Sequence, residues 1–178
     1  MKFKARIMSS EDIDRTLIRL AHQIIEKNKS VEDVCLVGIK TRGVPLAQRI
    51  AKNILAIENK EVPVGELDIT LYRDDLSKIA IDPVVSESSL PFSIVDKTVV
   101  LVDDVIFTGR TARAALDALM KFGRPARVQL VALIDRGHSE LPIKANYVGK
   151  NIPTSLTEVV TVHMTEVDGY SDVVINEI

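Results

Sequence analysis

Residues 98–102 (TVVLV) form an almost unbroken β-branched apolar run, and residues 128–134 form a second apolar run. Between them lies a segment with Ala114, Ala115, Leu116, Leu119 and Met120 at helical spacing, ending at Gly123. A continuous apolar run suits a strand in the middle of a parallel sheet, because both of its faces are covered. Strand, helix and strand in this order close as a right-handed crossover. The fold class expected is therefore α/β, a mostly parallel central sheet flanked by helices. A length of 178 residues suits one domain, spanning 1–178, better than two.

Upstream, Ile13, Leu17, Leu20 and Ile24 predict a helix over Ser10–Asn28, capped by Ser9 or Ser10, with Glu11 and Asp12 at its positive end. Val34–Ile39 reads as a buried strand, followed by a polar turn at 40–43. Leu46, Ile50, Ile54 and Ile57 mark a second helix, and residues 62–71 a strand with Leu67, Ile69 and Leu71 alternating. Residues 72–96 are polar, contain Pro83 and Pro91 and show weak periodicity, which fits either a functional flap or an irregular surface hairpin. A late strand is expected around Glu158–His163, with His163 structural.

Composition narrows the function classes. Lysine plus arginine number 23 against 25 aspartates and glutamates, for a net charge of −2. That balance disfavours a protein that coats nucleic acid; DNA is not expected, and RNA would need a local basic patch. No apolar run approaches the ~20 residues of a membrane span. The single cysteine, Cys35, sits in an apolar run and reads as a buried thiol rather than a reactive one. Together these features imply a cytoplasmic protein.

The chemistry gathers after residue 102. Asp103 and Asp104 are followed by Val105, Ile106 and Phe107, then by Thr108, Gly109, Arg110 and Thr111 opening a helix. Free amides at a helix start, the helix dipole, a glycine that lets the backbone approach and two hydroxyls make a phosphate cradle. An ordinary helix cap would not need the glycine and both threonines. Two carboxylates beside a phosphate make sense if they grip neutral hydroxyls, such as those of a ribose whose 5′-phosphate fills the cradle. They can also stabilise positive charge developing on the sugar ring. Asp104 occupies a position that a Walker A loop requires to be glycine, which removes that reading.

The segment VVLVDDVIFTGRT (99–111) resembles the phosphoribosyl pyrophosphate (PRPP) signature of type I phosphoribosyltransferases. Five further blocks extend the resemblance along nearly the whole chain to the PyrR family: LVGIKTRG (36–43), DITLYRDDLS (68–77), GRPARVQL (123–130), DRGHSELPI (135–143) and GKNIPTS (149–155). The resemblance implies the type I phosphoribosyltransferase fold, with a flexible flap at about 72–96 and a small hood at about 136–178. It implies a pyrophosphate loop at Lys40, Thr41, Arg42 and Gly43, with Arg42, Asp103 and Asp104 catalytic. Val105, Ile106 and Phe107 would join the PRPP and UMP contacts. Arg73 would close over pyrophosphate, and Arg136 with the backbone near Val160 would frame the base. Mg²⁺ would arrive on the polyphosphate, with no metal ligands of the chain's own. The implied reaction is displacement of pyrophosphate from PRPP by uracil, giving UMP. Purine-specific relatives carry an aspartate where this chain has Phe107, so a pyrimidine base is favoured, unless Phe107 merely packs.

On the first predicted helix, Arg15, Arg19 and His22 share a face opposite the apolar stripe. Lys144 and Lys150 extend the basic set, with His138 close by in sequence. Alone this is a solvated face. The resemblance implies binding of the pyr operon leader mRNA in response to UMP or UTP, and a homodimer or higher assembly. Ile18 and Ser139 depart from the family, which often has threonine and arginine there. Two other readings compete. One is a two-component receiver domain, whose acidic pair lies on its first strand; the other is a nucleotide sensor without catalysis, which would not need a pyrophosphate loop.

Overall fold

The computed structural model describes residues 1–74 and 87–178. In chain order the elements are β1 (Lys2–Met8), α1 (Ser10–Asn28), β2 (Val34–Ile39), α2 (Gly43–Glu58), β3 (Val64–Leu67), β4 (Thr98–Ile106), α3 (Arg110–Leu119), β5 (Arg127–Asp135), β6 (Tyr147–Asn151), β7 (Glu158–His163), α4 (Thr165–Asp168) and β8 (Asp172–Glu177). Five strands form a parallel sheet in the order β3-β2-β4-β5-β6, with β4 at its centre. A second, antiparallel sheet has the order β1-β8-β7.

The central strands separate two cores. Val100 and Val102 of β4 pack with α1 and α2, while Val99 and Leu101 pack with α3, as the two-residue alternation of a strand requires. Helix α1 starts as a capping box on Ser9: the Asp12 amide donates to Ser9 Oγ at 3.2 Å and the Ser9 amide to Asp12 Oδ2 at 2.9 Å. Cys35 is buried, and burial pushes its thiol up to about 11, so it is an inert packing residue. No helix among the described residues is long and apolar enough to cross a membrane.

Several boundaries differ from the sequence expectation. Strand β4 continues to Ile106, so Asp103 and Asp104 lie within its last turns of pleat rather than after it. Strand β3 ends at Leu67, because the Asp68 carboxylate accepts from Thr70 N (2.8 Å) and Thr70 Oγ1 (2.6 Å) and turns the chain into a short 3₁₀ segment. Leu71 is consequently exposed. Helix α3 stops at Leu119 and tightens to 3₁₀ over Met120–Phe122, leaving Met120 on the surface. Ile57 also faces out at the end of α2. Of the strands within 136–178, β7 and β8 form the antiparallel sheet together with β1 from the opposite end of the chain, while β6 belongs to the main sheet. Residues 75–86 of the expected flap lie outside the described residues. The stem beyond them is fixed where Ser89 pairs with Glu66, and Ile94 is fully buried.

A polar clip joins α1 to the sheet edge. The Tyr147 hydroxyl donates to Gln129 Oε1 at 2.7 Å, and Asn28 Nδ2 donates to the same oxygen at 3.0 Å. Tyr147→Phe removes two hydrogen bonds, the one to Gln129 and a longer one that Asn28 Nδ2 donates to the hydroxyl at 3.2 Å, but leaves both partners bonded to each other. Its expected cost is about 1 kcal/mol, read as a loss of about 2–4 °C in melting temperature by calorimetry.

Candidate active site

The carboxyl end of β4 faces the starts of α2 and α3, the place where parallel α/β sheets bind ligands. Neither N-cap residue, Arg42 before α2 or Gly109 before α3, makes a side-chain capping hydrogen bond. At α3 the Arg110 amide donates to Thr108 Oγ1 at 3.3 Å; both helix dipoles favour negative charge at this end. Gly109 has φ +92°, a left-handed conformation that side chains resist, and it lets Thr108 turn directly into α3.

Three adjoining hollows share this end. One of about 90 Å³ is lined by Asp103, Val105, Ile106, Phe107, Thr108 and Gly109, among others. A second, about 370 Å³, holds Lys40, Thr41, Arg42, Arg73, Asp103 and Asp104, with Thr111. The third, about 650 Å³, runs outward past Arg73, Phe107, Thr108, Arg110 and Thr111. Most of the expected PRPP residues are therefore brought together. Gly43 lies under them, its Cα against the β4 backbone at Val102.

The electrostatics are uneven. Asp103 is only 8% exposed, and burial with the neighbouring Asp104 charge raises its pKa well above the ordinary carboxylate range. Burial also raises Asp104, opposed by the Val105 amide, which donates to Asp104 Oδ1 at 2.8 Å, and by the Arg42 charge. Lys40 Nζ donates to the Glu87 carbonyl at 2.6 Å and lies 3.7 Å from Glu66. Arg110 pairs with Asp74 (2.5 Å) and Glu140 (2.9 Å), bridging the flap stem and the loop after β5.

At the other end of the site, the Arg136 guanidinium lies 4.0 Å from the Phe107 ring centroid and His138 meets the same ring edge-on at 5.8 Å. Arg136 is buried and donates to Thr154 Oγ1, Ser155 O and Glu158 O, so its own bonds go to the β7 side while it fixes Phe107. Val160 is buried in the core on β7 and lines none of the three hollows. His138 is engaged here, its Nε2 2.6 Å from the Thr154 carbonyl.

On α1, Arg15 and His22 are exposed beside Arg19, whose Nη1 lies 3.4 Å from the Val148 carbonyl and whose Nη2 donates to Gly149 O on β6. Lys150 of β6 reaches the Ile7 carbonyl at 3.5 Å. Ile18 projects outward on this helix. Lys144 is exposed, while its neighbours Ile143 and Ala145 pack toward the α3-side core. Residues that sequence reasoning did not single out also belong to the site: Asp68 and Thr70 line the second hollow, and Asp168 of α4 binds Arg42.

The phosphoribosyl transferase domain family matches residues 6–166. A Thermoanaerobacter protein named bifunctional protein PyrR is 62% identical over 177 residues, covering 99% of both chains. The bifunctional protein PyrR of Thermus thermophilus is 60% identical over 169 residues, covering 95% of this chain and 93% of that one. Among solved structures, the hypoxanthine phosphoribosyltransferase of Trypanosoma cruzi superimposes with a TM-score of 0.73 at 18% identity, covering 98% of this chain and 97% of its own. That last likeness is one of fold. On the domain match and the full-length identity, the chain belongs to the PyrR family of phosphoribosyltransferases.

Proposed function

We propose that the chain transfers the phosphoribosyl group of PRPP to uracil, releasing pyrophosphate and forming UMP, and that it regulates pyrimidine genes by binding the pyr leader mRNA in response to UMP or UTP. The observation that carries the catalytic half is the acidic pair of buried Asp103 and half-buried Asp104, set between two helix starts whose N-cap residues make no side-chain cap.

The α3 start, with Thr108, Gly109, Arg110 and Thr111, takes the 5′-phosphate. Asp103 and Asp104 accept from the ribose hydroxyls and face the ring as it gains positive charge, a preorganised stabilisation of the transition state. Lys40, Thr41, Arg42 and Gly43 hold the leaving pyrophosphate, with Arg73 beside them. The second hollow offers the hard carboxylate oxygens of Asp103 and Asp104, and in this reading Mg²⁺ arrives on the polyphosphate of PRPP. When bound, the ion would supply positive charge beside the pyrophosphate. The Phe107 ring, backed by Arg136 and His138, is an apolar wall for a pyrimidine and offers no carboxylate to a purine.

Arg15, Arg19 and His22, with Lys150 nearby, form the RNA-facing set on α1 and β6; Lys144 and His138 complete it in this reading. The protein acts in the cytoplasm as a homodimer or larger homo-oligomer.

The test is UMP formation from PRPP, Mg²⁺ and labelled uracil, with hypoxanthine, guanine and orotate in parallel. Turnover confined to uracil is expected. Turnover of a purine in preference to uracil would overturn the base assignment, and no turnover with any base would leave a sensor without catalysis. Retardation of leader RNA that strengthens with UMP tests the regulatory half.

A further inference from the structure

Arg42 stands at the junction of β2 and α2, and its guanidinium is not loose. Its Nε donates to Asp168 Oδ2 at 3.1 Å and its Nη2 to Asp168 Oδ1 at 2.8 Å, a bidentate pair spanning 126 residues of sequence. Asp168 is itself fixed, because its Oδ2 also accepts from the Met164 amide at 2.8 Å. The acceptor is only 16% exposed and the arginine 32%. A guanidinium has five N–H groups in one plane, so a carboxylate taking the Nε–Nη2 edge leaves the Nη1 end for another anion. Arg42 makes no other hydrogen bond among the described residues, and it lines the hollow with Lys40, Thr41 and Asp104.

We infer that Asp168 is a positioning residue for the reaction: it holds the Arg42 guanidinium by one edge so that the other edge meets pyrophosphate. This rests on the placement of pyrophosphate at residues 40–43. Asp104 is the competing acceptor, since its charge already acts on Arg42. Without Asp168, the guanidinium turns toward Asp104, spoiling both the pyrophosphate end and the ribose end of the site. A held arginine also loses less side-chain freedom when the anion binds.

The structure supplies its own control. Two helical turns further along, Arg49 of α2 makes the same kind of pair with Glu166 of α4, at 2.8 Å for both Nε–Oε1 and Nη2–Oε2. Arg49 also reaches Asp14 and Ser171, and it lines none of the three hollows at the end of β4. Both pairs fasten α4 to α2, but only Arg42–Asp168 borders the site.

The experiment compares Asp168→Asn, Asp168→Glu, Glu166→Gln, Arg42→Ala and the double variant Arg42→Ala/Asp168→Asn. KM for PRPP and for uracil, inhibition by pyrophosphate and melting temperature are measured for each. Asp168→Asn is expected to raise the KM for PRPP and weaken pyrophosphate inhibition by about tenfold, the weight of one charge-assisted bond, with uracil KM within about twofold. Asp168→Glu recovers part of the loss. Glu166→Gln lowers the melting temperature without moving the KM for PRPP, and Asp168→Asn adds less than about twofold in the Arg42→Ala background. A variant Asp168→Asn that behaves like Glu166→Gln, or effects that add fully in the double variant, would overturn the inference while Arg42→Ala still impairs PRPP use. Should Arg42→Ala leave the KM for PRPP unchanged, the pyrophosphate placement falls and the inference with it.

Discussion

Asp103→Asn is expected to melt several degrees above the parent protein at neutral pH while turning over PRPP and uracil roughly 10²–10³-fold more slowly, the range for losing one preorganised electrostatic stabiliser. The two effects have one cause. Asp103 is 8% exposed, and burial together with the Asp104 charge raises its pKa well above the ordinary value. In the unfolded chain the same carboxyl ionises near 3.9, so between that pH and the raised native value the folded protein binds more protons than the unfolded one (by about one for this group). Stability therefore falls as pH rises through that window. Asp104, raised in the same direction, adds to the fall.

Asparagine removes the charge but keeps the size and the oxygen that accepts the Asp104 amide at 3.0 Å. The variant and parent should be equally stable below about pH 4 and diverge as pH rises, reaching about 1–3 kcal/mol, the cost of a poorly compensated buried polar group. Melts across this range, paired with steady-state turnover, check it. A variant that is less stable than the parent at neutral pH, or one that keeps its turnover, would show that the buried carboxylate is neither the strained nor the reacting group. If both effects appear, the site holds a destabilising charge for the sake of its chemistry.

How far the sequence disclosed all this depended on how local each signal was. Strand β4 was legible because a strand covered on both faces is apolar at nearly every position, and the start of α3 because Thr108, Gly109 and Thr111 lie together where the apolar run gives way to a helical pattern. Strand β1 was not: Lys2, Lys4 and Arg6 are solvent-facing or partly so, only Met8 is buried, and the strand exists through its pairing with β8 at the far end of the chain. Strand β6 hid for the same reason, an edge strand in which only Tyr147 is buried. The alternation of Leu67, Ile69 and Leu71 suggested a longer β3, but the Asp68 side chain outbids the ladder for the backbone at Thr70. In the site, the acidic pair stood out by its place after an apolar run, while residues 40–43 read locally only as a polar turn and drew notice through the family resemblance of their block. Asp168 was not, since α4 has four residues and no periodicity, and the partner that gives it meaning is 126 positions away.

The juxtaposition of residues 40–43 with the acidic pair rests on a contact that only glycine permits. A Cβ built on Gly43 would lie 2.2 Å from the Val102 carbonyl oxygen, 3.2 Å from its carbon and 3.5 Å from Asp103 Cα. All three are backbone atoms of the central strand, which is hydrogen-bonded on both sides and cannot step aside. Gly43→Ala must therefore lift the first turn of α2, together with Arg42 before it, away from Asp103. Overpacking of this kind costs about 1–3 kcal/mol, seen as a melting temperature lower by about 2–4 °C per kcal/mol at this chain length. The functional loss should be lopsided. In the proposed reading pyrophosphate and PRPP use the displaced turn and are expected to bind at least about tenfold more weakly, whereas UMP, assigned to the α3 start, is expected to change little because none of the three atoms nearest a Gly43 Cβ belongs to that helix. Titration calorimetry with UMP and with pyrophosphate separates the two. Equal losses for both ligands would mean that the alanine disturbs the whole sheet end. Unchanged pyrophosphate binding would mean that α2 can shift without moving its loop, and that the close seat of Gly43 on β4 is a matter of packing alone.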